Sequence, residues 1–284
     1  MTWLILVIIS AISSSVSRIL QKVLLKEKDS EPFAFAFVFQ LLLAFLFFLY
    51  TFITKTLIIP NLSGVFLNLI LMAIFYSLGN IFIYKAFKLA EASEASIIFA
   101  SSTLWTVISA VIFLGDKLSN SNIAGILLVI LGIIAVNYSR SKWKMNKGHL
   151  YALLGAMMFG IAFTNDAFII NRFTSISSYM LLSFFLSSIT ILIFRPNLIK
   201  GVPYFVKKNI IGKLLICGIF YSAMIFTIFE AYKRGGQVSI ISPIQQSALI
   251  LTVITSYFIL KEKDRMANKI IGTILTFIGV LLLI

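Results

Sequence analysis

The sequence predicts an all-α integral membrane protein with ten transmembrane helices, arranged as two inverted five-helix repeats. Three observations support this fold class. Apolar segments of membrane-spanning length follow one another along almost all of the 284 residues. The hydrophobic content is 60% and the mean hydropathy is +1.03. The two halves of the chain also carry the same motifs in the same order.

Each predicted span is an apolar run close to the length that a helix needs to cross a bilayer. At 1.5 Å per residue, about 20 residues cover roughly 30 Å of hydrocarbon. Strands of a membrane barrel alternate apolar and polar residues, whereas Leu41–Phe48 and Ile126–Val136 are apolar on every face. The spans are therefore predicted as helices over residues 3–25, 33–54, 64–86, 93–114, 120–138, 149–171, 176–194, 211–232, 238–260 and 267–284.

An internal repeat relates residues 75–138 to residues 220–284. Both stretches begin Phe-Tyr-Ser, continue with Ala-aromatic-Lys at a span end, reach an acid after an apolar span, and close with two glycines seven residues apart. The matched positions are Ala86-Phe87-Lys88 with Ala231-Tyr232-Lys233, Asp116 with Glu262, and Gly125/Gly132 with Gly272/Gly279. The offset stays at 145–147 residues throughout. The chain is therefore predicted to consist of two five-helix units, residues 1–145 and 146–284.

An odd number of spans per unit has a topological consequence. Consecutive spans reverse direction, so the second copy lies in the membrane with the opposite orientation to the first. The two copies are then related by a pseudo-two-fold axis in the membrane plane. Inverted repeats of this kind are typical of secondary transporters, which hold their substrate near the midplane between the repeats.

Composition excludes several classes of site. The chain has one cysteine, Cys217, and one histidine, His149, so neither a disulfide framework nor a Cys/His metal site is expected. The net charge of +14 comes from basic residues beside spans, where they set orientation and meet anionic lipid. We therefore expect a lipid bilayer and no nucleic acid as partner. No Walker A motif, no Gly-x-Ser-x-Gly elbow and no cofactor site is visible in the sequence, which argues against ATP coupling and against an enzyme.

The repeat motifs resemble those of a known family. The turns "FLGDKL" and "ILKEKD", each with an acid after the fourth or ninth span, and the Gly-x6-Gly last helix of each half are similar to the EamA family of the drug/metabolite transporter superfamily. The resemblance covers essentially the whole chain. It implies a ten-helix carrier that exports or exchanges small metabolites such as amino acids, amines or nucleotide sugars. Family members often have a proline about a dozen residues before the acid, where this chain has Thr103 and Leu249.

The loop charges predict the orientation. Seventeen Lys and Arg residues belong to the loops after spans 1, 3, 5, 7 and 9, and five belong to the opposite set. Basic loops remain on the cytoplasmic side. We therefore expect a multi-pass protein of the inner or plasma membrane with both termini on the extracytoplasmic side.

Charged and polar residues inside spans are the candidates for substrate binding, because each is costly in hydrocarbon unless it is partnered or faces water. Arg18 either faces a central cavity as a carboxylate contact or snorkels to the inner interface with Lys22. Asp166, beside the position equivalent to Arg18, either faces the cavity or lies at the outer interface. Arg18 and Asp166 together suggest a zwitterionic solute.

Further candidates are predicted from their position in the spans. Pro243 is a possible helix break that frees a carbonyl, or an ordinary first-turn proline. The polar candidates are Gln40, Asn80, Gln245 and Gln246, and the candidate aromatic walls are Tyr76, Tyr221 and Trp105. For the polar residues the alternative is hydrogen bonding between helices, and for the aromatic residues it is plain packing.

The function predicted from these features is alternating-access transport of small polar metabolites, as an exporter or exchanger of amino acids or related compounds. The alternatives are a carrier of nucleotide sugars, nucleosides or amines, a channel, an intramembrane enzyme, and a membrane scaffold that transports nothing.

Overall fold

The computed structural model of the protein describes residues 3–115, 119–139, 142–143, 145–169, 172–234 and 238–283. This part of the chain is built almost entirely of helices. They are α1 (Trp3–Lys26), α2 (Pro32–Ile53), α3 (Phe66–Leu89), α4 (Ala92–Phe99), α5 (Ser102–Leu114), α6 (Asn120–Asn137), α7 (Lys147–Ile169), α8 (Ile176–Phe194), α9 (Val202–Phe205), α10 (Lys208–Lys233), α11 (Val238–Thr255) and α12 (Met266–Leu283). A π-helical segment, Ser256–Leu260, continues α11. Two short strands, Tyr138–Ser139 and Lys142–Trp143, pair antiparallel between α6 and α7.

The described helices agree with a multi-span membrane protein. Seven helical segments are long and apolar enough to cross a membrane, and two shorter apolar helices, Asn120–Val136 and Ser247–Leu260, accompany them within the described residues. Each of the ten predicted spans falls on a helix, and the fourth is divided into α4 and α5. The number of membrane crossings, ten, stays a prediction.

Local sequence signals fix several helix ends. The Glu31 carboxylate accepts a hydrogen bond from the Ala34 amide at 2.7 Å, and Pro32 occupies the first turn of α2, where its missing N–H costs nothing. Ser119 and Asn122 form a reciprocal capping box at the start of α6. Helix α5 is capped at its C-terminal end by Gly115, whose φ of 76° lies in the left-handed region that glycine adopts without strain.

Equivalent helices of the two halves pack against each other antiparallel. Along α2 and α8, Arg195 pairs with Glu31 at one end, and Phe47 stacks on Phe184 further along. At the far end the Ser178 hydroxyl donates to the Thr56 carbonyl oxygen at 3.0 Å. Other contacts between the halves occur in equivalent pairs. Helix α3 of the first half packs on α7 of the second, and α10, the equivalent of α3, packs on α1, the equivalent of α7. The largest apolar core lies between these helices and includes Phe35, Phe39, Tyr84 and Phe205.

The glycine pairs of α6 and α12 permit a close helix contact, as their spacing predicts. A methyl group at Gly125 would lie 2.7 Å from the carbonyl oxygen of Gly279. At Gly132 it would lie 2.9 Å from the carbonyl oxygen of Gly272 and would also meet the Thr276 side chain. Backbone atoms cannot yield as a flexible side chain does. These glycines therefore set the distance between the two helices.

Gly132→Ala is expected to destabilise the protein by about 1–3 kcal/mol, because overpacking pushes the two backbones apart. The measurement is the thermal unfolding midpoint of the purified protein in detergent. Gly212→Ala in α10 is the matched control, since nothing lies within 4 Å of the added methyl group there. Equal midpoints for the two variants would contradict the close contact of α6 and α12.

Candidate functional site

A cavity of about 230 Å³ surrounds Arg18 in the interior of the helix bundle. The half-buried Arg18 side chain makes no hydrogen bond or ion pair with any residue that the structure describes. Its polar neighbours in the cavity lining are Ser14, Ser17, Gln21, Asn80, Ser102 and Gln245. The Oε1 atom of Gln245 is buried without a hydrogen-bond partner. The cavity thus offers a guanidinium and several neutral polar groups to a solute.

A second cavity, of about 220 Å³, contains Asp166. The Asp166 carboxylate accepts hydrogen bonds from the hydroxyl groups of Tyr76 at 2.6 Å and Tyr179 at 2.5 Å. No Lys, Arg or His of the described chain forms an ion pair with it. The neighbouring Asn165 exchanges hydrogen bonds with Asn68 of α3. Asp166 is therefore held in place by phenol donors while its negative charge lacks a described cationic partner.

The two cavities adjoin each other. They share a wall made of Asn80, Phe159, Phe163, Tyr221 and Met224. A third cavity of about 220 Å³ shares Met180, Ile225 and Phe229 with the Asp166 cavity and is lined by the connecting segments around Thr56 and Ser175. The three cavities therefore lead from the loops after α2 and α7 inward to Arg18.

The fourth predicted span is broken beside Arg18. Helix α4 ends at Phe99 and α5 begins at Ser102, with a turn at Ala100 and Ser101 between them. The Ser101 hydroxyl donates to the Ile98 carbonyl oxygen at 2.7 Å, which replaces a helical bond at the turn. Ala100 and Ser102 line the Arg18 cavity, so the N-terminal end of α5 faces the same space as the guanidinium. Both features favour a negatively charged group there.

A cluster of charged residues lies at the basic-loop end, next to the Arg18 cavity, because the lining residue Phe87 accepts a hydrogen bond from Lys22 through its carbonyl oxygen. We call this cluster the inner network: Lys22, Glu91, Glu94, His149, Glu262, Arg265 and Lys269. The Glu262 carboxylate, from the loop before α12, accepts bonds from the Ala92 and Ser93 amides at 2.7 and 3.1 Å and caps α4. Glu94 of α4 contacts His149 at 2.8 Å and pairs with Arg265. The network thus ties the first half of the chain to the second.

Two lysines, Lys22 and Lys269, make further bonds of the inner network. Lys22, one helical turn beyond Arg18, donates to the carbonyl oxygens of Phe87 and Ala90. Lys269 is 1% exposed and pairs with Glu91. Burial raises the pKa of Glu91 above its ordinary value, and the bond to Lys269 opposes this rise.

The turn that carries Glu262 and Arg265 has an unusual backbone. Lys261 has a φ of 57° and Arg265 a φ of 50°, although neither is glycine. A side chain in the left-handed region costs roughly 1–2 kcal/mol. Such conformations persist where the surrounding contacts determine them, and here those contacts are the bonds of the inner network.

Most of the described candidate residues do line the cavities. Arg18, Asn80, Gln245 and Tyr221 line the Arg18 cavity, and Asn80, Tyr76, Asp166 and Tyr221 line the Asp166 cavity. Trp105 is not among the lining residues of these cavities. It packs on the cluster formed by Leu104, Val129, Val280 and Leu283.

Two candidates in α11 lie partly outside the described structure. The backbone is helical at Pro243 and Gln246. Their side chains lie outside the described residues, so the role of both stays a prediction.

The single histidine, His149, is buried at the start of α7. It is 1% exposed and belongs to the inner network. Gln40, a polar candidate from the sequence, lines the Asp166 cavity. Tyr179 and Glu94 are polar residues that the sequence analysis does not single out, and for Glu94 the available signal was an acid within the predicted fourth span.

Comparison with known proteins gives one family and one fold. Residues 1–138 and residues 146–284 each match the EamA-like transporter family. No curated protein is matched. One solved crystal structure shares 15% identity and a TM-score of 0.55, over 96% of this chain and 95% of that one. At this identity the likeness shows the fold alone.

Proposed function

Because this chain belongs to the EamA-like transporter family, we propose that it is a secondary carrier that moves small polar metabolites by alternating access. The observation that carries the proposal is the row of three adjoining cavities that runs from the loops after α2 and α7 to Arg18, beside the inner network. Alternating access requires a pathway that opens to one side of the membrane at a time, and in this proposal the inner network closes the pathway on the basic-loop side. The antiparallel packing of equivalent helices supports an inverted repeat of units 1–145 and 146–284.

The charges in the cavities support a zwitterionic substrate, an amino acid or a related compound. Arg18 and the N-terminal end of α5 suit a carboxylate. Asp166, fixed by two tyrosines and without a described cationic partner, suits an ammonium group. A uniformly anionic or cationic solute would use only one of these groups. Carriers of nucleotide sugars, nucleosides or amines are the alternative substrate classes.

Counterflow in proteoliposomes tests the proposal. Vesicles that contain the purified protein are loaded with unlabelled amino acid and diluted into a trace of the labelled compound. A carrier accumulates label transiently and saturates, whereas a channel equilibrates without saturation and a scaffold takes up none. A panel of amino acids, nucleosides, sugar nucleotides and amines assigns the substrate class, and counterflow with a nucleoside but no amino acid would overturn the zwitterion assignment.

The proposed orientation places the inner network in the cytoplasm and both termini outside. We expect a carboxy-terminal alkaline phosphatase fusion, which folds only outside the cytoplasm, to be active. A green fluorescent protein fusion at the same position, exported unfolded, is expected to be dark. The opposite pair of signals would reverse the proposed orientation.

A further inference from the structure

One side chain of the Asp166 cavity has no partner for either of its polar atoms. Gln40 of α2 is 1% exposed and lines this cavity. Its Nε2 and Oε1 atoms have no hydrogen-bond partner among the described residues. Burying an amide costs free energy when neither its N–H groups nor its oxygen regains the hydrogen bonds lost with water. A ligand that supplies these bonds would account for a glutamine at this buried position.

A second unpartnered group lines the same cavity from the other half of the chain. Ser187 of α8 is 1% exposed, and its hydroxyl has no hydrogen-bond partner among the described residues. Gln40 and Ser187 belong to α2 and α8, the equivalent helices of the two halves. In the antiparallel pair of α2 and α8, both lie between the Glu31–Arg195 and Phe47–Phe184 contacts, at a similar level.

We propose that Gln40 and Ser187 form a specificity subsite that binds an uncharged carboxamide on the transported solute. The proposal rests on the zwitterionic substrate proposed above and adds the chemistry of its side chain. A glutamine amide offers two donor hydrogens and one acceptor oxygen, and a serine hydroxyl offers one donor and two lone pairs. Together they complement a carboxamide, which needs both kinds of partner. The rings of Phe184 and Tyr221 line the same cavity and limit its width.

The test compares L-glutamine with L-norleucine, an apolar amino acid of similar length, on the purified full-length protein in detergent. Binding is measured by isothermal titration. The native protein is expected to prefer glutamine by about tenfold or more, as one satisfied hydrogen-bond pair provides. Both Gln40→Leu and Ser187→Ala are expected to reduce this preference while the affinity for norleucine stays unchanged. In Gln40→Leu the ratio of the two affinities is expected to fall to about one.

Ser96→Ala is the matched control. The Ser96 hydroxyl is also buried without a described partner, yet it is not among the residues that line this cavity. Its glutamine preference is expected to equal that of the native protein. The ligand-free Gln40→Leu protein is expected to melt no lower than the native one, because the change removes an unpaired amide.

The possible failures are distinguishable. If both amino acids bind the native protein equally, or if Gln40→Leu keeps the glutamine preference, the subsite is overturned and the carrier proposal stands. A clear fall in the melting temperature of ligand-free Gln40→Leu would also overturn it, since the amide would then be paired within the protein. If neither amino acid binds the native protein, both the subsite and the zwitterionic substrate are withdrawn.

Discussion

Arg18→Gln is expected to weaken amino-acid binding by about 10- to 150-fold, and Asp166→Asn by a similar factor. The reason is that a hydrogen bond to a charged group contributes about 1.5–3 kcal/mol. Each variant removes one charged contact: Asp166→Asn keeps the size of the side chain, and Arg18→Gln replaces the guanidinium by a shorter, neutral amide. The measurement is the Kd of glutamine for the purified protein, with normal expression and an unchanged gel-filtration profile as the condition.

Analogues of glutamine assign each charge to its group. Arg18→Gln is expected to bind decarboxylated glutamine as the native protein does, because that compound lacks the carboxylate which Arg18 would hold. Asp166→Asn is expected to bind deaminated glutamine as the native protein does, because that compound lacks the ammonium group which Asp166 would hold. Each pair of variant and analogue forms a double-mutant cycle that isolates the contact.

Arg195→Gln serves as the matched control. Arg195 is exposed and pairs with Glu31 at the surface, so its loss is expected to leave the Kd unchanged. Near-native affinity in both the Arg18 and Asp166 variants would instead make the two residues interfacial anchors and withdraw the zwitterion proposal.

Arg18 and Asp166 can be predicted from the sequence, because a charged residue within an apolar span costs free energy and is visible in the sequence itself. Asn80 and Gln245 are predicted from the cost of a buried polar group, and Tyr76 and Tyr221 from their equivalent positions in the repeat. The glycine pairs predict close helix contacts but do not predict that α6 and α12 are the partners. All of these signals lie within a single helix or in the repeat itself.

The remaining partners depend on the packing between distant segments. Tyr179 donates to Asp166 because α7 and α8 bring the two side chains together, and neither residue alone indicates the pair. The break at Ala100 forms without a proline, through the Ser101 hydroxyl, which a search for helix-breaking residues does not detect. The Glu94–Arg265 pair joins positions 171 residues apart, which only the folded chain brings together.

The second large effect is expected at the inner network. Glu262 of the second half holds the amide groups and the Ser93 hydroxyl at the start of α4 in the first half through three hydrogen bonds. Under alternating access these bonds must break when the pathway opens toward the basic loops. They therefore stabilise the state that the structure shows.

Glu262→Gln keeps the size of the side chain and removes its charge. A hydrogen bond to a charged group contributes about 1.5–3 kcal/mol and one between neutral groups about 0.5–1.5 kcal/mol, so each of the three bonds becomes weaker. A loss of about 1.4 kcal/mol from one of two states changes their ratio tenfold. We therefore expect about tenfold faster entry of reagents into the Arg18 cavity from the basic-loop side.

The reporter for this access is a cysteine at position 102, which lines the Arg18 cavity, in a Cys217→Ala background that removes the native cysteine. Inside-out vesicles expose the basic-loop side to a membrane-impermeant maleimide, and the labelling rate is measured. Glu31→Gln is the matched control, because the Glu31–Arg195 pair also joins the two halves at this end but has side chains 31% and 49% exposed. An exposed pair contributes little, so its labelling rate is expected to match that of the parent protein. Equal rates for Glu262→Gln and Glu31→Gln would mean that the inner network is a structural brace and that the pathway opens elsewhere.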